Sequence, residues 1–255
     1  MTALGLRSAG RLALSPRRLR RSTVPPESPD QISSLAFWYD AEASPTIEAG
    51  GVIERWDDLS GNGRHAGQAV GSERPLKVTD GEGRHVIRFD GIDDTLAVTS
   101  APSLATGVTL FLVFVVRARS DFSGIVSVAA ATGVDHEAFF SLQNASAASG
   151  KFQWLGRSAE SDPLVIERDD NATICLALLS ATAGNARFHD LDGQGSDTYN
   201  GAFATPDQII VAGHYNNGTF GYSAIDVYEL GLYMRALGAG ERTALSDYLR
   251  NKYGL

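Results

Sequence analysis

The chain reads as an all-β fold of short antiparallel strands, a sandwich or a barrel, and three observations carry that reading. Many short runs rich in Val, Ile, Phe and Tyr recur through residues 109–233. Turn chemistry separates them, including the Asp-Gly and Asn-Gly pairs of "LDGQ" and "YNNGTF" that suit tight hairpins. No helical pattern intervenes until the last residues.

Residues 22–31, "STVPPESPDQ", read as a linker, because Pro25, Pro26 and Pro29 forbid regular helix. The folded domain is expected from residue 32 to 255. Its middle predicts strands at 109–118, 124–130, 137–143, 151–157, 172–181, 185–191, 208–214 and 223–233. The run "TLFLVFVV" is apolar on both faces, whereas a strand with one wet face alternates. It should be central, with its second face covered by a loop, by the C-terminal helix or by a partner. That helix lies in "AGERTALSDYLRNKYGL", where Leu245, Tyr248, Leu249 and Tyr253 recur at helical spacing. Glu241 in its first turn and Arg250 and Lys252 in its last suit the helix dipole, and Gly254 is a natural stop.

Charge divides the chain. The net charge is −8, yet residues 1–26 carry Arg7, Arg11, Arg17, Arg18, Arg20 and Arg21 and no acid. Setting those six aside leaves a body of about −14. An acidic body argues against a nucleic-acid-binding surface there. By composition the basic stretch resembles a transit peptide, and it lacks the apolar core of a secretory signal. It also fits an extended arm, residues 1–31 with the linker, anchored on neighbouring subunits, since about 30 extended residues span roughly 100 Å. Deleting residues 1–30 should then leave a folded domain that no longer joins its assembly; normal incorporation of the truncated protein would refute the anchor. No run approaches the ~20 apolar residues of a membrane helix. The single cysteine, Cys175, sits in an apolar run and reads as a small core residue, so no disulfide forms within the chain.

Three segments together resemble a family. They are "LAFWYDAEASPTI…VIERWDDLSGNGRHA", "RHVIRFDGIDDTLAV" and "DVYELGLYMRALGAGERTALSDYLRNKYGL". In order and spacing they resemble the concanavalin A-like, laminin G-like jelly-roll domains of bacterial surface and phage virion proteins. The resemblance covers residues 32–255. Three positions depart from it: Gly238 stands where Ser or Thr commonly caps the last helix, Thr95 replaces an aromatic, and Gly231 occupies a site of bulky strand residues. The resemblance implies a two-sheet antiparallel jelly-roll sandwich in which binding is common and catalysis confined to certain branches.

Hydrolytic branches need two carboxylates across a scissile bond. No Glu-x-Asp-x-Glu run occurs, "VIERDDNA" reads as a polar turn, and the spacing of Asp226 and Glu229 puts them on opposite faces of a regular strand. There is no Gly-x-Ser-x-Gly elbow, and the histidines show no zinc spacing. The expectation is therefore that the chain is not an enzyme. For Ca2+, Asp57, Asp58 and Asn62 in one loop and Asp90, Asp93 and Asp94 in another would form an oxygen cage if the loops shared a rim. The competing reading makes Asp57, Asp58 and Asn62 turn formers, with Gly61 and Gly63 at positive φ. For a glycan, Trp154, Tyr199, Tyr215 and Tyr222 are aromatic platforms, with Asn216, Asn217 and Asp197 as polar partners. The function expected is a structural or adhesion subunit on the exterior of a phage-like particle, binding host-surface glycan, with the arm holding it in place. The alternative is a freestanding lectin-like module of a bacterial cell surface, and a glycosidase stands behind both.

Overall fold

The computed structural model describes residues 28–104, 107–118, 120–121, 123–129, 138–146, 151–156, 164–167, 174–182, 185–188, 196–197, 206, 208–216 and 219–255. In chain order its strands are β1 (Leu35–Asp40), β2 (Thr46–Ala49), β3 (Val52–Trp56), β4 (Ala66–Gly67), β5 (Leu76–Thr79), β6 (His85–Asp90) and β7 (Leu96–Val98). Next come β8 (Val108–Ala118), β9 (Gly124–Ala129), β10 (Ala138–Ser146), β11 (Lys151–Gly156), β12 (Leu164–Glu167) and β13 (Cys175–Thr182). The last are β14 (Asn185–Phe188), β15 (Ser196–Asp197), β16 (Gln208–Val211), β17 (Gly213–Asn216), β18 (Thr219–Tyr222) and β19 (Ala224–Tyr233), before the helix α1 (Ala239–Tyr253).

Every pairing is antiparallel, and the ladder folds into two layers. One layer runs β15, β14, β13, β8, β19, with the far edge of β19 shared by β6 and β1, and β5 outside β6. The other runs β2, β3, β4, β7, β16, β9, β10, β11, β12. Among the described residues the layers are hydrogen-bonded to each other at one pair, Val52 and Leu76. β17 and β18 form a separate hairpin at the "YNNGTF" turn. The expected sandwich is thus the fold observed.

The core fills the space between the layers. Leu110, Leu112, Phe114 and Val116 of β8 face it with Ile225, Val227, Leu230 and Leu232 of β19, meeting Ile53, Trp56, Val126, Val128 and Ile209 from the other side. The alternate residues of β8, Phe111, Val113 and Val115, point the opposite way. Leu245, Leu249 and Tyr253 of α1 cover them, so the helix is the cover that the two-faced apolar run demanded. Burying Leu245 and Leu249 stabilises this docking by about 1.5–3 kcal/mol each. Gly238 offers the helix no side chain, and Glu241 compensates by accepting the Gly238 N–H at 2.8 Å. Gly254 closes the helix at φ +72°, its N–H donating to the Arg250 carbonyl at 2.8 Å.

One local irregularity sets the chemistry of the outer face. The register of β19 against β8 slips between Val227 and Glu229. Val227 and Leu230 both face the inner core, and the two residues between them, Tyr228 and Glu229, both face α1. Such a bulge breaks the period of two. Asp226 and Glu229 consequently share the outer face, which corrects the expectation that they lie on opposite faces. A second correction concerns "VIERDDNA": Leu164–Glu167 is strand and pairs with β11, while Asp169 and Asp170 lie outside the described residues.

Candidate functional site

In the loop "WDDLSGNGRHA" the side chains of Asp57, Asp58, Ser60, Asn62, Arg64 and His65 are each tied to the protein by polar contacts. Asp58 Oδ1 accepts from the N–H of Trp38 at 3.0 Å and of Ser60 at 2.9 Å. Its Oδ2 accepts from Ser60 Oγ at 2.8 Å and from the Arg64 N–H at 3.0 Å. Asn62 turns its amide nitrogen inward and donates to the carbonyls of Leu35 at 2.9 Å and Ala36 at 3.1 Å. Asp57 is held by Arg55 at 2.6 Å, and the Asp58 N–H donates to His65 Nδ1 at 3.1 Å. Gly61 and Gly63 take φ of +82° and +68°, as such a turn requires. Trp56 is fully buried against Tyr39, with ring centroids 5.3 Å apart. The arrangement clamps the loop onto β1.

The second acidic loop turns on itself in the same way. Asp90 Oδ1 accepts the N–H of Ile92 at 2.7 Å, and Asp94 Oδ2 accepts the Asp90 N–H at 3.0 Å. Among the described residues, Asp90, Asp93 and Asp94 bring carboxylate oxygens within 4.8 Å of one another, and Asp57 and Asp58 are not part of that cluster. These three are the residues able to hold a divalent cation, with one oxygen each of Asp90 and Asp94 already spent on the turn. Burial, with the neighbouring Asp90 and Asp93 charges, pushes the Asp94 carboxyl up to about 6, against the opposing pull of the Asp90 N–H.

Of the residues expected to meet a glycan, Tyr222 is half-buried at the end of β18. Burial, and then the charges of Glu73 and Asp93, raise its phenol pKa, so it stands beside the acidic loop. Trp154 lies in β11 opposite Leu142 and Leu164, and Tyr215 and Asn216 lie in β17 opposite Phe220 and Thr219. Asp197 lies in β15 opposite Ala186. Tyr199 and Asn217 lie outside the described residues, as do Arg7, Arg11, Arg17, Arg18, Arg20 and Arg21.

A concavity lined by charged side chains lies elsewhere, on the outer face of the α1-bearing layer. It is an open groove of about 790 Å³. The β5–β6 turn (79–84) forms one wall and Tyr253 to Leu255 another. The floor crosses adjacent strands, with Arg88 on β6, Asp226 and Tyr228 on β19, Val115 and Arg117 on β8, and Ile174 just before β13. Arg88 binds Asp226 through two parallel contacts, Nε at 2.8 Å and Nη2 at 2.7 Å. Arg84 lies 5.3 Å over the Tyr228 ring and meets Asp80 at 2.9 Å. Burial raises the Asp80 carboxyl, but the Arg84 N–H and guanidinium, the Glu82 N–H and the Tyr228 hydroxyl outweigh it and hold it at about 2. Of these residues the sequence singled out Asp226, as one of a carboxylate pair, and Tyr253, as part of the helical stripe, and neither as part of a groove. The available signal was Arg117, which ends the two-faced apolar run on the same face as Val115.

No family model matches the chain, and no curated protein matches its sequence. Solved structures do match in fold. Trypanosoma rangeli sialidase in complex with sialic acid superposes with a TM-score of 0.63 at 14% identity, over 87% of this chain and 33% of that one. The botulinum neurotoxin type G receptor binding domain gives 0.56 at 14%, over 86% and 52%. The binding domain of botulinum neurotoxin DC in complex with rat synaptotagmin II gives 0.57 at 10%, over 87% and 52%. The chain thus spans about a third of the sialidases and half of the toxin domains it matches. Among the described residues no helix is long and apolar enough to cross a membrane. The expectation that the chain is not an enzyme is corrected here. It rested partly on Asp226 and Glu229 facing apart, which the bulge reverses, and this fold is one that sialidases contain. At these identities the likeness establishes an all-β fold shared with sialidases and with toxin receptor-binding domains.

Proposed function

We propose that the chain is a binding module for a glycan, seated in the groove over β6, β19 and β8. The observation that carries the reading is the groove itself. Its 790 Å³ is the size of a small-ligand site. Its surface alternates fixed donors and acceptors, Arg84, Arg88, Asp80 and Asp226, with short apolar patches at Val115 and Ile174. Hydroxyl groups both donate and accept, so they match such a lining where an apolar ligand would not. Support also comes from the company the fold keeps: a receptor binding domain of one toxin, a synaptotagmin complex of another, and a sialidase holding sialic acid.

A glycan array with the full chain tests this. Binding to a defined set of glycans is expected, and Ile174→Arg, which drives a long charged side chain into the groove, should abolish it, with the melting temperature read alongside because Ile174 packs against the core under α1. Binding to no glycan would remove the reading, and binding that survives Ile174→Arg would move it out of the groove. The finer placement on the exterior of a phage-like particle draws its support from the resemblance of residues 32–255 and from the arginines of the arm, whose deletion is its test.

A further inference from the structure

Among the described residues three guanidinium groups line the groove, and they are not equivalent. Arg84 is engaged on every side: by Asp80 at 2.9 Å, by Glu82 at 3.0 Å, by the Tyr253 carbonyl at 3.4 Å and by the Tyr228 ring beneath it. Arg88 takes both oxygens of Asp226. Arg117 has no such partner among the described residues. Its nearest acidic oxygen is Asp226 Oδ1 at 3.9 Å, beyond hydrogen-bond length, and that oxygen already accepts from Arg88 Nε. Among the described residues one buried carboxylate therefore faces two guanidiniums, which leaves about one positive charge between these three groups. The opposite end carries Asp80 and Glu82 against Arg84 alone. The groove is polarised, cationic over β8 and anionic at the β5–β6 turn.

We propose that Arg117 anchors an oxyanion carried by the saccharide, a carboxylate or a sulfate ester. The inference rests on the glycan reading and names the ligand class of that site. The fork of a guanidinium matches two oxygens of such a group at once, and a charge-assisted contact is roughly twice as strong as a neutral one. Arg88 remains locked on Asp226 and adds its field without moving. The floor beside Arg117 is Val115 and Ile174, which shed water from the contact. The acids at the far end then face sugar hydroxyls, which donate to them, and not a second anion. Arg117 lies at the exposed end of β8, next to exposed Ala118, so its replacement leaves the core untouched.

The test uses acidic oligosaccharides arrayed beside their carboxyl-reduced or desulfated counterparts, probed with the full chain. Binding is expected to concentrate in acidic members and to fall about tenfold on neutralisation of the anion. Loss on carboxyl reduction identifies a carboxylate, and loss on desulfation a sulfate ester. Arg117→Gln should bring binding of the acidic members down to that of their neutral counterparts, and Arg117→Lys should restore part of the difference, having the charge without the fork. Equal binding of acidic and neutral members, or a preference that survives Arg117→Gln, overturns the assignment and leaves glycan binding standing. Absence of binding to every member defeats the glycan reading itself and this inference with it.

Discussion

Lys252→Met is expected to cost about 3–5 kcal/mol of stability, the range for removing one partner of a buried ionic cluster. Lys252 Nζ sits 2.6 Å from Asp40 Oδ2 and 2.6 Å from Glu229 Oε2. Glu229 is wholly buried, and its oxygens also accept from Trp38 Nε1 at 2.7 Å and from the Tyr253 hydroxyl at 2.8 Å. Asp40 is nearly as buried. One ammonium thus serves two carboxylates beneath α1, and it joins the helix to β1 and β19. Burial pushes the Glu229 carboxyl up, and Lys252 is the main influence holding it down. Without the lysine, two acids face each other with no countercharge. Glu229, wholly buried and without the lysine that holds it down, responds by binding a proton, so its folded-state pKa rises further above that of the unfolded chain. Such a group supports stability below its unfolded value, near 4, and that support is lost as pH rises through its folded value. The loss should therefore be larger at pH 8 than at pH 5. In thermal unfolding it appears as a fall of roughly 10 °C at neutral pH. Adding Glu229→Gln should recover much of it, because one of the stranded charges is gone. A loss below about 1 kcal/mol, typical of an exposed pair, would show that the cluster does not hold the helix.

The same cluster shows where sequence reading ends. The stripe of Leu245, Tyr248, Leu249 and Tyr253 and the two-faced run of β8 are periodic signals, and each predicts that it needs a cover; the structure makes each the cover of the other. "WDDLSGNGRHA" was legible as a turn because Asp, Asn and Gly there obey local rules, with partners mostly within a few residues or on β1. Glu229 was not legible. Its face depends on a bulge between Val227 and Glu229; Gly231, in the same stretch, suggested a bulge or a close approach without placing either, and a period of two carried across the bulge assigns every later side chain to the wrong side. The groove was harder still. Its residues come from positions 79–88, 115–117, 174, 226–228 and 253–255. Each is an ordinary residue in its own segment. Only strand order brings Arg88, Asp226 and Arg117 into one row, and strand order is set by the whole core and not by any local pattern. Gly231 lies between these cases: a glycine in a bulky strand position signals close approach, without saying of what.

The approaching group is the Phe111 ring, and it makes Gly231 the site of a second large effect. Gly231 pairs with Phe111 on one side and Trp38 on the other. A Cβ built on it would lie 2.3 Å from Cε1 and Cζ of the Phe111 ring and 3.1 Å from the Phe37 carbonyl oxygen. The ring has nowhere convenient to go: it is fully buried and packs against Tyr233, with centroids 6.1 Å apart. Gly231→Ala therefore sets two effects against each other. Replacing glycine stiffens the unfolded chain, which stabilises a protein by about 0.4–1 kcal/mol where the new side chain fits. Here it does not fit, and overpacking a buried site costs typically about 1–3 kcal/mol. The clash should win, giving a net loss of about 1–2 kcal/mol in urea unfolding, and Gly231→Val should lose more. Phe111→Leu supplies the decisive comparison. It removes the edge of the ring that the new Cβ would strike, so the double variant Phe111→Leu/Gly231→Ala should lose less than the sum of the two single losses, with a coupling above the ~0.5 kcal/mol expected of independent sites. Strict additivity, or a Gly231→Ala protein as stable as the parent, would mean that the Phe111 ring shifts freely and that α1 docks on a softer face than this packing implies.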